Sequence, residues 1–325
     1  MVTENIRTCV LVCLLLAMAS CQQGSVSPSV KARPSHPPAV ATASSSGSDT
    51  YGPATVLGTL EDSAINESSG LVASRTNPGL YWTHNDSGDG PFIYAFDDRG
   101  GRRGVWRVTG AGARDWEDIA AGPGPQPNTN YLYIGDIGDN GGKRGEIVVY
   151  RIPEPPVTSA DVPSSKREPS LTATAEVIRF SYPDGKPNAE ALMVHPQTGD
   201  IYIVTKAPFD NPAIYQATAP VDIANVTTLK RVGELNMPGF FGGIITGGDI
   251  SPDGRQVALC DYVQGYEIAL TDAKAAFSTI WQQPLTPIGL GNRKQGEALA
   301  YRLDGKALLA TSEGPRAPLI QVVRR

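Results

Sequence analysis

Read for its apolar and polar positions, the chain from about residue 51 onward repeats one plan five times. Each unit opens on an acidic or small polar pair, runs into a short apolar strand, breaks at a tight turn rich in Pro, Gly, Asp or Asn, and resumes in a second apolar strand. The units start at ESSGLVAS (Glu67), WEDIAAG (Trp116), AEALMVH (Ala189), GGDISPDG (Gly247) and GEALAYRLDG (Gly296). The intervening turns use residues that supply turn dihedrals or cap a turn by local hydrogen bonds. Second strands follow at LYWTH, LYIGD, IYIVT, VALCD and ALLAT, and third strands at FIYAFD, EIVVYRI, AIYQATA, YEIAL and PLIQVV. GVWRVTG, AEVIRFSY, TLKRVGEL and STIWQQ supply a fourth strand to the first four units.

Repetition at this period predicts an all-β chain folded as a single β-propeller. The aligned aliphatic residues Leu71, Ile119, Leu192, Ile250 and Leu299 lie 48, 73, 58 and 49 positions apart (119 − 71, 192 − 119, 250 − 192, 299 − 250). A four-stranded blade needs about 40 to 50 residues. The longest gap contains a polar loop, TSADVPSSKREPS, that accounts for its excess, so about five blades fit better than six. The last unit ends before a fourth strand of its own. TYGPATVLGTL, from Thr50 to Leu60, has strand character and is expected to close the ring from the N-terminal side, which removes exposed sheet edges.

Residues 1–20 carry Arg7, an apolar run from Cys9 to Met18 and small residues before Cys21. The run is too short for a stable transmembrane helix and sits where cleavable export signals sit. Ala and Ser ahead of Cys21 resemble a bacterial lipobox, which predicts lipidation at Cys21 and an exported lipoprotein held on a membrane, facing the periplasm or the cell exterior. Residues 21–50 are dominated by Ser, Pro, Ala and Gly and read as a flexible tether. The domain is then 51–325. The full chain's balance of 28 basic and 33 acidic residues, 28 − 33 = −5, argues against nucleic acid as a partner. Cys9 and Cys13 fall in the signal, Cys21 is the lipid site and Cys260 stands alone in an apolar strand, so no disulfide-linked partner is expected.

In a propeller the start of each first strand and the end of each second strand converge on one mouth of the central channel. The repeat puts Glu117, Glu190 and Glu297 at one aligned position, with Asp118 and Asp249 a residue later and Glu67 two residues earlier in the first unit. It puts His84, Asp136, Thr205, Asp261 and Thr311 at the other place, followed by Asn85, Asp86, Asp139, Asn140, Lys206 and Glu313. Carboxylates gathered on one axis repel unless a cation, a proton or basic partners compensate. Calcium is the candidate cofactor, because it takes six to eight oxygen ligands in irregular geometry. The expected ligand set is Glu117, Asp118, Glu190, Asp249 and Glu297. The bland reading is that these acids cap strand ends and bind backbone amides. Arg114, Arg144, Lys206, Arg293, Lys294 and Arg316 are basic residues expected near the same mouth. No GxSxG elbow, HExxH helix or Walker loop occurs.

AEALMV and GEALAY look like the strand starts of phytase-like and gluconolactonase-like propellers. WTHNDSG, RDWEDIA and GDIGDN resemble a family of bacterial secreted β-propeller lipoproteins. The resemblance spans most of Glu61 to Val323 and implies a propeller with calcium in its channel. It carries no catalytic residue over, because Glu190 and Glu297 are followed by alanine where the phytase-like pattern has glycine. Two functions stand. One is a surface-tethered propeller that binds an extracellular glycan, protein or small molecule, with Asn85, Asp86, Asp139, Asn140, Lys206, Asp261 and Glu313 facing the ligand. The other is a calcium-dependent hydrolase of phosphoesters or lactones with Asp136 or His84 as base. A fold alone decides neither.

Overall fold

The computed structural model describes residues 50–237 and 243–325; the segment expected to be an export signal, Cys21 and almost all of the expected tether lie outside them. Among the described residues the chain forms twenty-two strands and one short 3-10 helix. The first blade is β2 (Ser68–Ala73), β3 (Leu80–Asn85), β4 (Phe92–Asp97) and β5 (Arg102–Arg107), counted outward from the axis. The second is β6 (Trp116–Pro123), β7 (Asn130–Asp136), β8 (Ile147–Pro153) and β10 (Glu176–Ser181). The third is β11 (Ala189–Val194), β12 (Ile201–Thr205), β13 (Ala213–Ala217) and β15 (Lys230–Glu234). The fourth is β16 (Gly247–Ile250), β17 (Gln256–Cys260), β18 (Gly265–Ala269) and β19 (Thr286–Ile288). The fifth is β20 (Gly296–Tyr301), β21 (Ala307–Ser312) and β22 (Pro318–Val323), completed by β1 (Thr55–Thr59). These are five four-stranded antiparallel sheets arranged as a β-propeller, and β1 closes the ring as the sequence predicts, pairing Thr55 with Gln321 and Thr59 with Pro318.

Two details depart from the sequence reading. STIWQQ is not the fourth strand of its blade: Phe277–Gln282 is a 3-10 helix that buries Ile280 and Trp281, and the outer strand is the three-residue β19 beyond Pro284. The long polar loop of the second unit is not merely an insertion. Its end forms β9 (Ser170–Leu171), which lies parallel to β5 on the outer edge of the first blade. Likewise β14 (Thr227–Thr228) pairs in parallel with β10. Each patch covers a sheet edge that would otherwise be open for pairing.

The strands are apolar on both faces because both faces are buried. The core divides into clusters that each bridge two neighbouring blades: Leu71 packs with Ala298 and Leu319, whereas the next residue, Val72, packs with Trp116 and Ile119. Cys260, fully buried beside Leu299 and Leu308, is a small apolar side chain in the last of these seams. Buried carboxylates pin the seams as well. Glu154 of the second blade accepts Trp82 Nε1 at 2.8 Å and the Thr76 amide at 2.9 Å from the first. At the closing seam Glu267 accepts the hydroxyls of Tyr51 at 2.5 Å and Tyr301 at 2.8 Å, and pairs with Arg324 at 2.8 Å. Placing these acceptors on several donors offsets the cost of burying their charge.

Candidate functional site

The mouth is built by a bulge that recurs around the ring. Pairing between the first and second strands skips one residue in four blades, and the skipped residues are Ser69, Glu117, Glu190 and Glu297. A bulge leaves its extra residue outside the ladder and re-aims its side chain. In the fourth blade the pairing is regular, Gly248 stands at the equivalent position, and no carboxylate is contributed. Glu117, Glu190 and Glu297 are therefore delivered together to the channel opening, at 4 %, 4 % and 5 % exposure. Two residues earlier the same register holds Glu67, Asp115, Asn188, Thr246 and Gln295. Asp115, absent from the sequence reading, is the consequential one, and its signal was its alignment with Glu67.

The second-strand ends are shifted from the sequence alignment. Ser68 pairs with Asn85, Trp116 with Asp136, Ala189 with Thr205 and Gly296 with Ser312. His84 and Thr311 thus sit one residue inside the sheet. His84 is fully buried, its Nδ1 lies 2.9 Å from the Asn85 carbonyl, and its ring packs edge-on against Trp116. A Cβ on Gly70 would lie 2.7 Å from His84 Nε2, so the ring is sealed against the inner strand. Burial lowers its pKa, and it is a neutral core residue rather than a base at the opening.

Asn85, Asp136 and Ser312 share one structural task. Asn85 Oδ1 accepts the amides of Asn66 and Glu67 at 3.1 Å, Asp136 accepts Arg114 N at 3.0 Å, and Ser312 Oγ accepts Gln295 N at 3.0 Å. Each ties the incoming loop to the second strand. Asp136 also pairs with Arg144 at 2.8 Å, both side chains being about 5 % exposed or less. Asp139 accepts the Arg144 amide at 2.6 Å, and Asn140, exposed, accepts Asn188 Nδ2 at 3.2 Å. Asp261 is taken up by its own loop, accepting the amides of Val263 and Gln264 at 2.7 Å and the Tyr266 hydroxyl at 2.8 Å.

Two members of the expected ligand set serve the channel wall instead. Asp118 crosses the axis: its carboxylate accepts Ile119 N at 2.8 Å, Leu192 N at 2.9 Å and Gly248 N at 3.2 Å, binding three blades. Asp249 accepts Ile250 N and Tyr301 N, each at 2.8 Å, and faces Arg75 toward the far end.

What the fold does bring together is Glu117, Glu190, Glu297, Asp86, Glu313, Glu67 and Asp115, with Lys206 facing Glu117, Glu190, Glu297 and Glu313, and Arg144 and Arg114 facing Asp115. Lys206 Nζ donates to both Glu190 oxygens and to the Tyr262 hydroxyl, each at 2.7 Å, which uses all three of its protons. Although burial opposes it, Glu190 holds the Lys206 ammonium well above its ordinary pKa. Asp86, Asp115 and Glu117 form a tighter group, with one oxygen from each lying within 4.8 Å of the others. Ser69 Oγ donates to the Glu117 carbonyl at 2.6 Å, but the Glu117 carboxylate receives no hydrogen bond and forms no ion pair among the described residues, although the residue is 4 % exposed. Its oxygen and that of Asp115 converge over Gly138, where a Cβ would lie 2.1 Å from Glu117 Oε1 and 2.5 Å from Asp115 Oδ2. Burial, then the charges of Glu190, Asp86 and Asp115, push Glu117 well above the carboxylate range. Burial raises Glu297 to about 8, Glu190 to about 7 and Asp115 to about 6.

Fold and site together define a five-bladed β-propeller with an acidic opening at one end of its channel. No family model and no curated protein matches the chain. Among solved structures, it is similar to a chain in the crystal structure of a nidogen/laminin complex, at 15 % identity and a TM-score of 0.42, over 76 % of this chain and 72 % of that one. No helix of the described residues is long and apolar enough to cross a membrane.

Proposed function

We propose that the protein is a binding propeller whose mouth holds a divalent cation, calcium, between Asp86, Asp115 and Glu117 and offers it to an extracellular ligand. The observation that carries this reading is Glu117: a residue 4 % exposed, its carboxylate set beside those of Asp86 and Asp115 and given no donor by the described residues. A buried charge without a partner costs several kcal/mol unless it is neutralised. An ion with oxygen preference supplies the compensation, and the missing side chain at Gly138 lets the Glu117 and Asp115 oxygens converge. Three carboxylates leave part of a six- to eight-oxygen shell for water or for ligand oxygens.

Hydrolysis of an anionic phosphoester is poorly served by the same site. His84 is sealed, Asp136 is held by Arg144 and two amides, and Lys206 has no free proton to offer an anion. Export and lipid attachment at Cys21 belong to the same proposal, supported by the signal-like first twenty residues and the lipobox-like sequence. Partitioning into detergent should be lost in Cys21→Ser, and partitioning that survives that change rules the lipid out.

The binding reading is tested by thermal melting with calcium and with chelator, alongside phosphoester and lactone substrates. Calcium should raise Tm without turnover of either substrate. Chelator-sensitive turnover that Glu190→Gln abolishes would replace it with the hydrolase reading.

A further inference from the structure

Arg151 of β8 stands in the middle of a row that crosses the second blade, opposite Tyr133 of β7 on one side and Glu176 of β10 on the other. Residues directly opposite in an antiparallel sheet present their side chains on one face. Here it is the face packed against the third blade, where Tyr133 shares a buried cluster with Val194, Ile203 and Ala217. Beyond that cluster, at the end of the propeller remote from the mouth, the turns of the two blades leave a cavity of about 340 Å³. Pro123, Tyr133 and Arg151 wall it on one side, and Thr198, Pro220 and Val221 on the other.

The walls are mostly apolar and hold one cation. Arg151 is 8 % exposed, and its guanidinium lies against two rings, 5.9 Å from the centroid of Tyr131 and 5.8 Å from that of Tyr133. Nε donates to Glu176 at 2.6 Å, and the Tyr133 hydroxyl stands close enough to accept a second hydrogen bond. A guanidinium has five N–H donors. With these two used, 5 − 2 = 3 remain on Nη1 and Nη2 without an acceptor among the described residues. Glu176 is the carboxylate paired with Arg151, and its side chain is 32 % exposed, so water screens its charge. A largely apolar recess with a few convergent polar groups is the composition of a small-molecule site.

We propose that this cavity binds a small organic acid, its carboxylate taken by the Nη donors of Arg151 and its apolar body held between Pro123, Pro220 and Val221. A carboxylate matches the planar fork of a guanidinium, and such charge-assisted pairs are about twice as strong as neutral ones. The volume lies near the lower end for ligand cavities, which suits a compact acid with one ring or one branched chain rather than a segment of polymer. The site shares no residue with the mouth and stands whether or not an ion binds there.

The test titrates para-fluorobenzoate with the whole protein and reads its fluorine NMR resonance, beside para-fluorobenzamide, which has the same shape without the charge. The acid should bind at least about tenfold more tightly than the amide. Arg151→Lys keeps the charge but loses the fork, and should weaken the acid roughly tenfold while leaving the amide nearly unchanged. Glu176→Gln removes the competing carboxylate and should tighten the acid by roughly threefold, the opposite of what loss of a structural contact would do. Glu117→Gln, at the mouth, should alter neither ligand. No binding of the acid, equal binding of acid and amide, or weaker binding of the acid in Glu176→Gln overturns the proposal. The last arm decides even if Arg151→Lys does not fold, because Glu176 lies part-exposed on the outer strand.

Discussion

Glu117 and Asp118 are consecutive, equally acidic and almost equally buried, yet the propeller uses them in opposite ways. Asp118 lies in the channel wall with three backbone amides on its carboxylate. Glu117 lies at the mouth with none. The difference is the bulge: it lifts Glu117 out of the ladder and leaves the next residue to face across the axis. The channel carboxylates hold blades to one another, and the mouth carboxylates cost stability that something bound there can return. Residue type alone does not distinguish the two; the donors around each carboxylate do.

The comparison breaks most visibly in stability. Asp118→Ala strands the amides of Leu192 and Gly248 without their acceptor, each worth about 1 to 3 kcal/mol when buried unsatisfied. A loss of about 3 to 5 kcal/mol in urea unfolding is expected. Glu117→Gln, one residue away, should leave unfolding within about 1 kcal/mol of the parent or raise it, because it removes repulsion and breaks no bond. Equal losses in the two variants would erase the distinction.

Next in size is Gly138→Ala. The added methyl group meets the carboxylates of both Glu117 and Asp115, at 2.1 to 2.6 Å, so both must shift and a loss of about 1 to 2 kcal/mol is expected. Displacing a ligand oxygen should also weaken calcium at least about tenfold, a change of about 1.4 kcal/mol in binding. Calcium affinity unchanged in this variant would move the ion elsewhere.

A smaller effect sharpens the picture through pH. Burial holds Glu297 at about 8 and Asp249 at about 7 in the folded chain. A carboxyl raised on folding contributes stability while it is protonated, fully present below the ordinary carboxylate range and lost as pH rises through the folded pKa. With chelator present, Tm should therefore fall as pH rises through 7 and 8, the two folded values. Calcium should restore more of it at the alkaline end, where the mouth is fully charged. A Tm that climbs over this window with chelator present would contradict the unpaired mouth.

Much of this was legible in the sequence. The five unit starts, the closing strand and the shared position of Glu117, Glu190 and Glu297 follow from apolar spacing and from turn residues, which local chemistry dictates. What spacing could not reveal was register. A bulge adds one residue to one strand without altering the apolar pattern, so His84 was aligned with Asp136 although Asn85 is its true counterpart. Asp115 carries no such apolar signal because it precedes the strand. Asp118 and Asp249 read as ligands because the amides that satisfy them come from blades distant in sequence, Gly248 lying 130 positions from Asp118. STIWQQ has a strand's composition, and tertiary packing of Ile280 and Trp281 folds it otherwise.

The central claim is that Glu117 is unpaired because its partner is an ion. Titration calorimetry with calcium above pH 8, on the parent chain and on Glu117→Gln, addresses it directly. The account predicts one saturable site in the parent and its loss in the variant, with the variant still folded. No binding in the parent, or the same binding in both, would contradict it.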